Sequence, residues 1–227
     1  MNDNLMQLRN AFVKKKMKIL IPLTVFEVLL LSFLTFVMII AEDGIGGGLF
    51  LPGFLLILLG PIMIIAWVAI LKVDPSLNAL DPQMRQRVNE DIPTAPRYAN
   101  AIICRDCLLI ETNRVKAIPY VDVIFAFGQN IANTSRYGMV TMSTTSSIIV
   151  VDRKKKQHAL NSRTKAFKGN AVFDTLDDRN VFAALQQRAP WSFFGYSPEN
   201  ENLYLKDFPR MVYEVDARKA QMLAGAM

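Results

Sequence analysis

The chain has 227 residues and a net charge of +6, room for a membrane hairpin and one soluble domain of about 150 residues but not for two. Its two cysteines, close together, exclude a disulfide framework and suit the cytoplasm. With one histidine, and no glycine-rich phosphate loop, nucleophile elbow or paired carboxylates, the sequence holds no enzymatic motif, and no catalytic residue, cofactor or metal is expected.

Residues 1–18 form a basic segment carrying Arg9, Lys14, Lys15, Lys16 and Lys18. Two apolar runs of 23 residues follow, Ile19 to Ala41 and Leu49 to Leu71, and define a hairpin over residues 19–72. Each run rises about 34 Å as a helix, enough to cross a hydrocarbon core of about 30 Å with modest tilt. The intervening Glu42-Asp43-Gly44-Ile45-Gly46-Gly47-Gly48 is too short to be a domain and turns the chain around. Its charges are acidic, whereas the flanks are basic, with Lys72, Arg85 and Arg87 on the far side. Both termini are therefore expected on the cytoplasmic side of the cell (inner) membrane. The first run is too long for the apolar core of a cleaved signal peptide and suits a signal anchor.

Two features could make this hairpin more than an anchor. Glu27 lies about 12 Å into the first helix, and no basic residue in either run can pair with it. An intramembrane carboxylate costs about 2.5 to 3.5 kcal/mol, so Glu27 either meets a partner, with Thr24 on the preceding turn a candidate to share the contact, or sits protonated near the interface. Gly60-Pro61 near the middle of the second run predicts a kink, a feature that purely structural spans share.

Residues 73–98 read as a helical linker, with Asp81 as N-cap and Pro82 at the first helical position of a helix running to about Glu90. A β-rich domain with a closing helix is expected over residues 99–189. Its strands are Ala101 to Cys104, Cys107 to Thr112, Val115 to Pro119 and Val121 to Phe127, the last with Val121, Val123, Phe125 and Phe127 on one face. Asn113-Arg114 is expected to turn a hairpin. A polar loop from Asn130 to Gly138 precedes one or two strands within Met139 to Val151, the turn Asp152-Arg153-Lys154-Lys155 and a return strand from Lys156 to Leu160. Thr175-Leu176-Asp177-Asp178 opens a helix carrying Val181, Phe182 and Leu185, which Pro190 stops. The expected class is α+β, a curved sheet of six or seven strands closed by one helix. Residues 190–227 add an aromatic crossing segment and an amphipathic helix from about Asp207, with Phe208, Met211, Val212, Val215 and Met222 on one stripe and Pro209 in its first turn.

Residues 73–227 hold 20 Lys and Arg against 16 Asp and Glu, a net of +4. Arg153, Lys154, Lys155, Lys156, Arg163, Lys165 and Lys168 account for seven of those positive charges, with no negative charge among them, so the rest of the domain is net −3. Held near an anionic inner leaflet, each such cation contributes about 1 kcal/mol of attraction; the bland alternative is a solvated hairpin tip. Only Phe167 interleaves aromatically, so nucleic acid is not an expected partner. Cys104-Arg105-Asp106-Cys107 has redox or zinc spacing, but with one histidine in the chain, His158, and a strand context, two small buried side chains are expected instead.

The series Cys107-Leu108-Leu109-Ile110, Ala117-Ile118-Pro119-Tyr120-Val121-Asp122-Val123 and Ile148-Ile149-Val150-Val151-Asp152-Arg153-Lys154-Lys155 resembles a bacterial pleckstrin-homology-like domain. Such domains pair an I-P-Y-x-D-I strand entry with a later strand, charged turn and strand. With the hairpin in front, and Pro190-Trp191 and Gly195-Tyr196-Ser197 behind, the whole chain resembles bacterial two-helix membrane proteins that carry such a domain. The resemblance implies a pleckstrin-homology-like barrel or sheet and supplies no catalytic residues. The expected function is a non-enzymatic, membrane-anchored interaction module whose partners are membrane lipids, the anionic inner leaflet, a protein or a second copy. The alternative is an accessory or regulatory subunit of a membrane transport complex, acting through Glu27, Gly60 and Pro61.

Overall fold

The computed structural model describes residues 3–40, 50–112, 114–134, 141–166 and 176–225. The expected turns at 42–48 and at Asn113, the cap at Thr175 and the cation Lys168 lie outside these residues. The chain divides into two compact units, Met1–Asn78 with Asn113–Val115, and Ala79–Thr112 with Lys116–Met227.

In the first unit, helix α1 (Asn4–Ile40) is followed by α2 (Phe50–Leu71) and the short α3 (Pro75–Asn78). The basic segment is not separate from the first apolar run: it is the opening of α1. The reason is local, because Asn4 to Lys18 contains no Gly or Pro and is rich in good helix formers, and the Asp3 carboxylate accepts a hydrogen bond from Met6 N at 3.1 Å. α1 and α2 are long and apolar enough to cross a membrane. The Trp67 indole donates to Thr24 Oγ1 at 3.1 Å, joining α2 to α1, while the same hydroxyl donates to Leu20 O at 2.9 Å. At the C-terminus of α2, Arg9 donates to Leu71 O and Arg114 Nε to Ala69 O, both at 2.7 Å. Cations there satisfy carbonyls that have no intrahelical partner and oppose the helix dipole.

The second unit opens with α4 (Pro82–Asp91), where Asp81 caps Gln83 N and Pro82 stands in the first turn as expected. Strands β1 (Arg97–Tyr98), β2 (Ala101–Ile103), β3 (Cys107–Glu111) and β4 (Val115–Pro119) form one sheet in that order. A 3₁₀ turn, Tyr120–Asp122, leads into β5 (Val123–Thr134), β6 (Thr141–Asp152) and β7 (Gln157–Ala166). Helix α5 (Leu176–Arg188) follows, then β8 (Phe193–Phe194), α6 (Pro198–Lys206) and α7 (Phe208–Ala224). The second sheet has the order β7-β6-β5-β8, with β8 parallel to β5.

The architecture is α+β, but among the described residues two open sheets replace the expected barrel or single curved sheet. The chain leaves the first sheet through the 3₁₀ turn, and a side chain bridges the sheets: Asn100 donates to Ala159 O on β7 at 3.1 Å. Two apolar clusters flank the second sheet. Ile103, Leu108, Ile118, Val123, Ala126, Ile148, Val150, Leu160, Val181 and Leu185 pack between the sheets and α5. Ile124, Phe125, Phe127, Ile149, Val151, Tyr204, Phe208, Met211 and Val215 pack between β5–β6 and the last two helices. The second sheet is thus covered on both faces.

That double burial corrects the expected alternation on β5. Val121 lies in the 3₁₀ turn and is exposed. A register shift between Val123 and Phe125 turns Val123 towards the first cluster, with Ala126, and Ile124, Phe125 and Phe127 towards the second. The polar stretch from Asn130 is not all loop either, because β5 continues to Thr134 paired with Thr141. Polar residues extend the strand because the ladder is made by the backbone, and the Asn130 side chain accepts from Ser146 Oγ at 2.7 Å across to β6. The aromatic crossing segment supplies β8: Ser192 Oγ donates to Val123 O at 2.7 Å and Gly195 N to Ala126 O at 2.9 Å. Gly195 has φ +79°, a conformation that favours glycine. Helix α6 was not expected, and Met222, placed on the buried stripe by its spacing, is exposed because α7 runs on beyond the cluster.

Candidate functional site

The turn between β6 and β7 is built by Asp152. Its Oδ1 accepts from Lys154 N at 2.8 Å and Lys156 N at 3.0 Å, and its Oδ2 is hydrogen-bonded to His158 Nε2 at 2.9 Å. Its backbone N donates to Lys156 O, and its carbonyl accepts from Lys155 N. This holds Lys155 at φ +60°, a left-handed conformation costing a non-glycine residue about 1 kcal/mol or more. His158 is buried as the partner of a turn-forming carboxylate, a structural position.

The four lysines and arginines of this turn have different surroundings. Arg153 reaches across to α7, where its two terminal nitrogens grip both oxygens of Asp216, one at 3.0 Å. Its Nε donates to Val121 O at 3.1 Å and lies 3.5 Å from Asp122 Oδ1. The hydrogen bond to Asp216 holds the guanidinium above its ordinary pKa, and the same bond holds Asp216 below the usual carboxylate range. The Lys155 ammonium sits 5.2 Å from the ring centre of Tyr204 and 5.6 Å from that of Phe208. Lys154 and Lys156 are exposed, and their ammonium groups have no partner among the described residues. Two cations therefore lock the turn onto the C-terminal helices, and two point into solvent.

The remaining basic residues are not gathered here. Arg163 and Lys165 lie on β7, opposite Ser146 and Thr144, which puts Arg163 roughly 20 Å along the strand from the turn. Sequence reasoning missed Asp122, Tyr204 and Asp216 as partners of the basic turn. Their one legible signal is Asp216 beside the buried stripe of α7, but a contact 63 residues away in sequence leaves no local pattern.

In the hairpin, Glu27 is half-buried on the α1 stripe that carries Thr24, and no hydrogen bond or ion pair reaches it from a described residue. Thr24 is engaged by Trp67. Pro61 lies inside a continuous α2, and a Cβ added at Gly60 would meet nothing within 4 Å, so no close approach requires glycine there.

Cys104 and Cys107 are free and buried. The hydrogen bond that the Cys107 thiol donates to the Cys104 side chain, then burial, pushes its pKa far up, so it stays protonated and is a poor nucleophile or metal ligand. Tyr120, likewise raised by burial, donates to Cys104 O at 3.0 Å and fixes the loop. Among the described residues no group of three or more His, Cys, Asp and Glu could hold a metal ion. No protein-family model, curated protein or solved structure matches the chain.

Proposed function

We propose that the chain is a non-enzymatic, multi-pass membrane protein with both termini in the cytoplasm, presenting a pleckstrin-homology-like domain to a protein partner or to the anionic inner leaflet. The observation that carries this is the bare apolar surface of the hairpin. Phe26 is 64% exposed and Ile65 66% exposed, and Ile19, Val28, Phe33, Ile64 and Val68 are exposed with them. Apolar side chains facing outward all round a helix need lipid or protein around them. The basic flanks and acidic loop orient the hairpin. Seven strands in two sheets, followed by α5 across their shared core, support the pleckstrin-homology-like assignment. Lys154 and Lys156, free on a turn that Arg153 and Lys155 hold in place, suit docking to an anionic surface.

Half-buried Glu27, with no partner among the described residues, favours a second reading, an accessory subunit of a membrane transport complex that binds through the hairpin. A photoreactive side chain placed at position 154 or 27 of the full chain, in its native membrane, separates the two. Protein or lipid adducts at position 154 are expected. Adducts confined to position 27 favour the accessory subunit, and none at either position overturns both. Fluorescent-protein fusions at each terminus should be bright for cytoplasmic ends; darkness with outside reporters active would reverse the orientation.

A further inference from the structure

At the end of α2, within the first unit, a small pocket is lined by Arg9, Lys72 and Arg114, with Phe12, Leu77 and Val115 among its apolar walls. Each guanidinium has five N–H groups and contributes one to an α2 carbonyl, Arg9 to Leu71 O and Arg114 to Ala69 O. These bonds offset the negative end of the helix dipole, which would otherwise repel an anion. One carboxylate shares the pocket, Asp74, and its Oδ1 is turned to Ser76 N at 3.0 Å. Three cations thus face one acid, on the basic side of the hairpin where an apolar span meets water.

We propose that Arg9, Lys72 and Arg114 form a phosphate site that takes the headgroup of an anionic phospholipid. The pocket chemistry separates a lipid from a free phosphate. Guanidinium forks bind phosphate oxygens in pairs, and the pocket walls that Phe12, Leu77 and Val115 line are apolar, which suits a glycerol backbone and not a bare phosphate. Anionic lipids concentrate in the cytoplasmic leaflet, so the site rests on the hairpin orientation proposed above. It is separate from the Lys154 and Lys156 turn and requires no partner protein.

The test is native mass spectrometry of the full chain released from detergent after incubation with phosphatidylglycerol, phosphatidylcholine or inorganic phosphate. One retained phosphatidylglycerol is expected in preference to phosphatidylcholine, with affinity falling about fivefold for each cation neutralised. Arg9→Gln and Arg114→Gln also remove caps from α2. Lys72→Gln, which removes none, is therefore the deciding variant, and Lys72→Arg should restore retention. Lys154→Gln with Lys156→Gln should leave it unchanged. Equal retention of both lipids, or no loss in Lys72→Gln, overturns the site. Binding of inorganic phosphate that competes away the lipid overturns the lipid assignment. Membrane extraction and the terminal fusions are read separately, so a correctly inserted chain without lipid preference refutes this site alone.

Discussion

Met211 and Met222 share one stripe of α7 by spacing, yet Met211 is fully buried at 0% exposure and Met222 is 46% exposed. If α6 and α7 form an integral layer over the second sheet, the same substitution should have very different costs at the two sites. Met211→Ala removes three heavy atoms, or about 100 Å² of buried apolar surface worth about 2.5 kcal/mol, and leaves a cavity that adds to the loss. A destabilisation of about 3 kcal/mol follows, which for a domain of this size lowers the midpoint by about 6–12 °C. Met222→Ala should stay within about 0.5 kcal/mol. Trp191 packs against both apolar clusters, so its fluorescence during thermal unfolding of the full chain in detergent reads this unit, in a Trp67→Phe background that silences the hairpin. Equal shifts for both variants, or a Met211→Ala loss under about 1 kcal/mol, would refute the claim that the last two helices complete the core.

A double-mutant cycle of Arg153→Gln and Asp216→Asn should give a coupling of about 0.5–1 kcal/mol, modest because both groups are partly exposed. Asp216 is held below its ordinary pKa, so its contribution is complete above the ordinary carboxylate range and fades as pH falls through the lowered value. Wild-type stability should accordingly drop more steeply than that of Asp216→Asn on acidification, and parallel pH profiles would contradict the pairing. Cys104 and Cys107, both buried, should resist maleimide in the folded chain and react after denaturation; rapid native labelling of either would mean an accessible thiol. Gly195→Ala should destabilise by about 1 kcal/mol from its positive φ, read by the same Trp191 melt, although the added Cβ meets nothing within 4 Å.

How much of this was legible in the sequence depended on whether the deciding interaction was local. Two helices long and apolar enough to cross a membrane, the Asp81 cap, the strands β2 to β4 and helix α5 follow from run length, capping residues and short apolar patterns, and the structure agrees with them. The two-faced burial of β5 was present in Val123 to Phe127, five consecutive apolar residues. Such a run signals burial on both faces, but an expected alternation concealed it, and only a register shift assigns Ile124 to its side. Helix α6 had a local signal that went unread, a Ser197 cap, Pro198 in the first turn and Glu199 and Glu201 beside it; its apolar anchor, Tyr204 against Phe125 and Phe208, is long-range.

The basic turn shows why a charge run alone decides little. In sequence, Arg153, Lys154, Lys155 and Lys156 are equivalent neighbours. Asp152 sets their directions by fixing the backbone, and the environment then sorts them. Arg153 meets the carboxylate of α7, Lys155 meets two aromatic rings, and Lys154 and Lys156 meet solvent. Asp216 offsets the Arg153 charge, whereas the ring contacts of Lys155 leave its charge intact, so counting charges overstates the electrostatic reach of the run by the one paired cation. If the domain does dock on the inner leaflet, Lys154 and Lys156 are the charges that can be removed without disturbing the fold. Neutralising Lys154 and Lys156 should weaken docking without shifting the melt, whereas Arg153→Gln should shift the melt first.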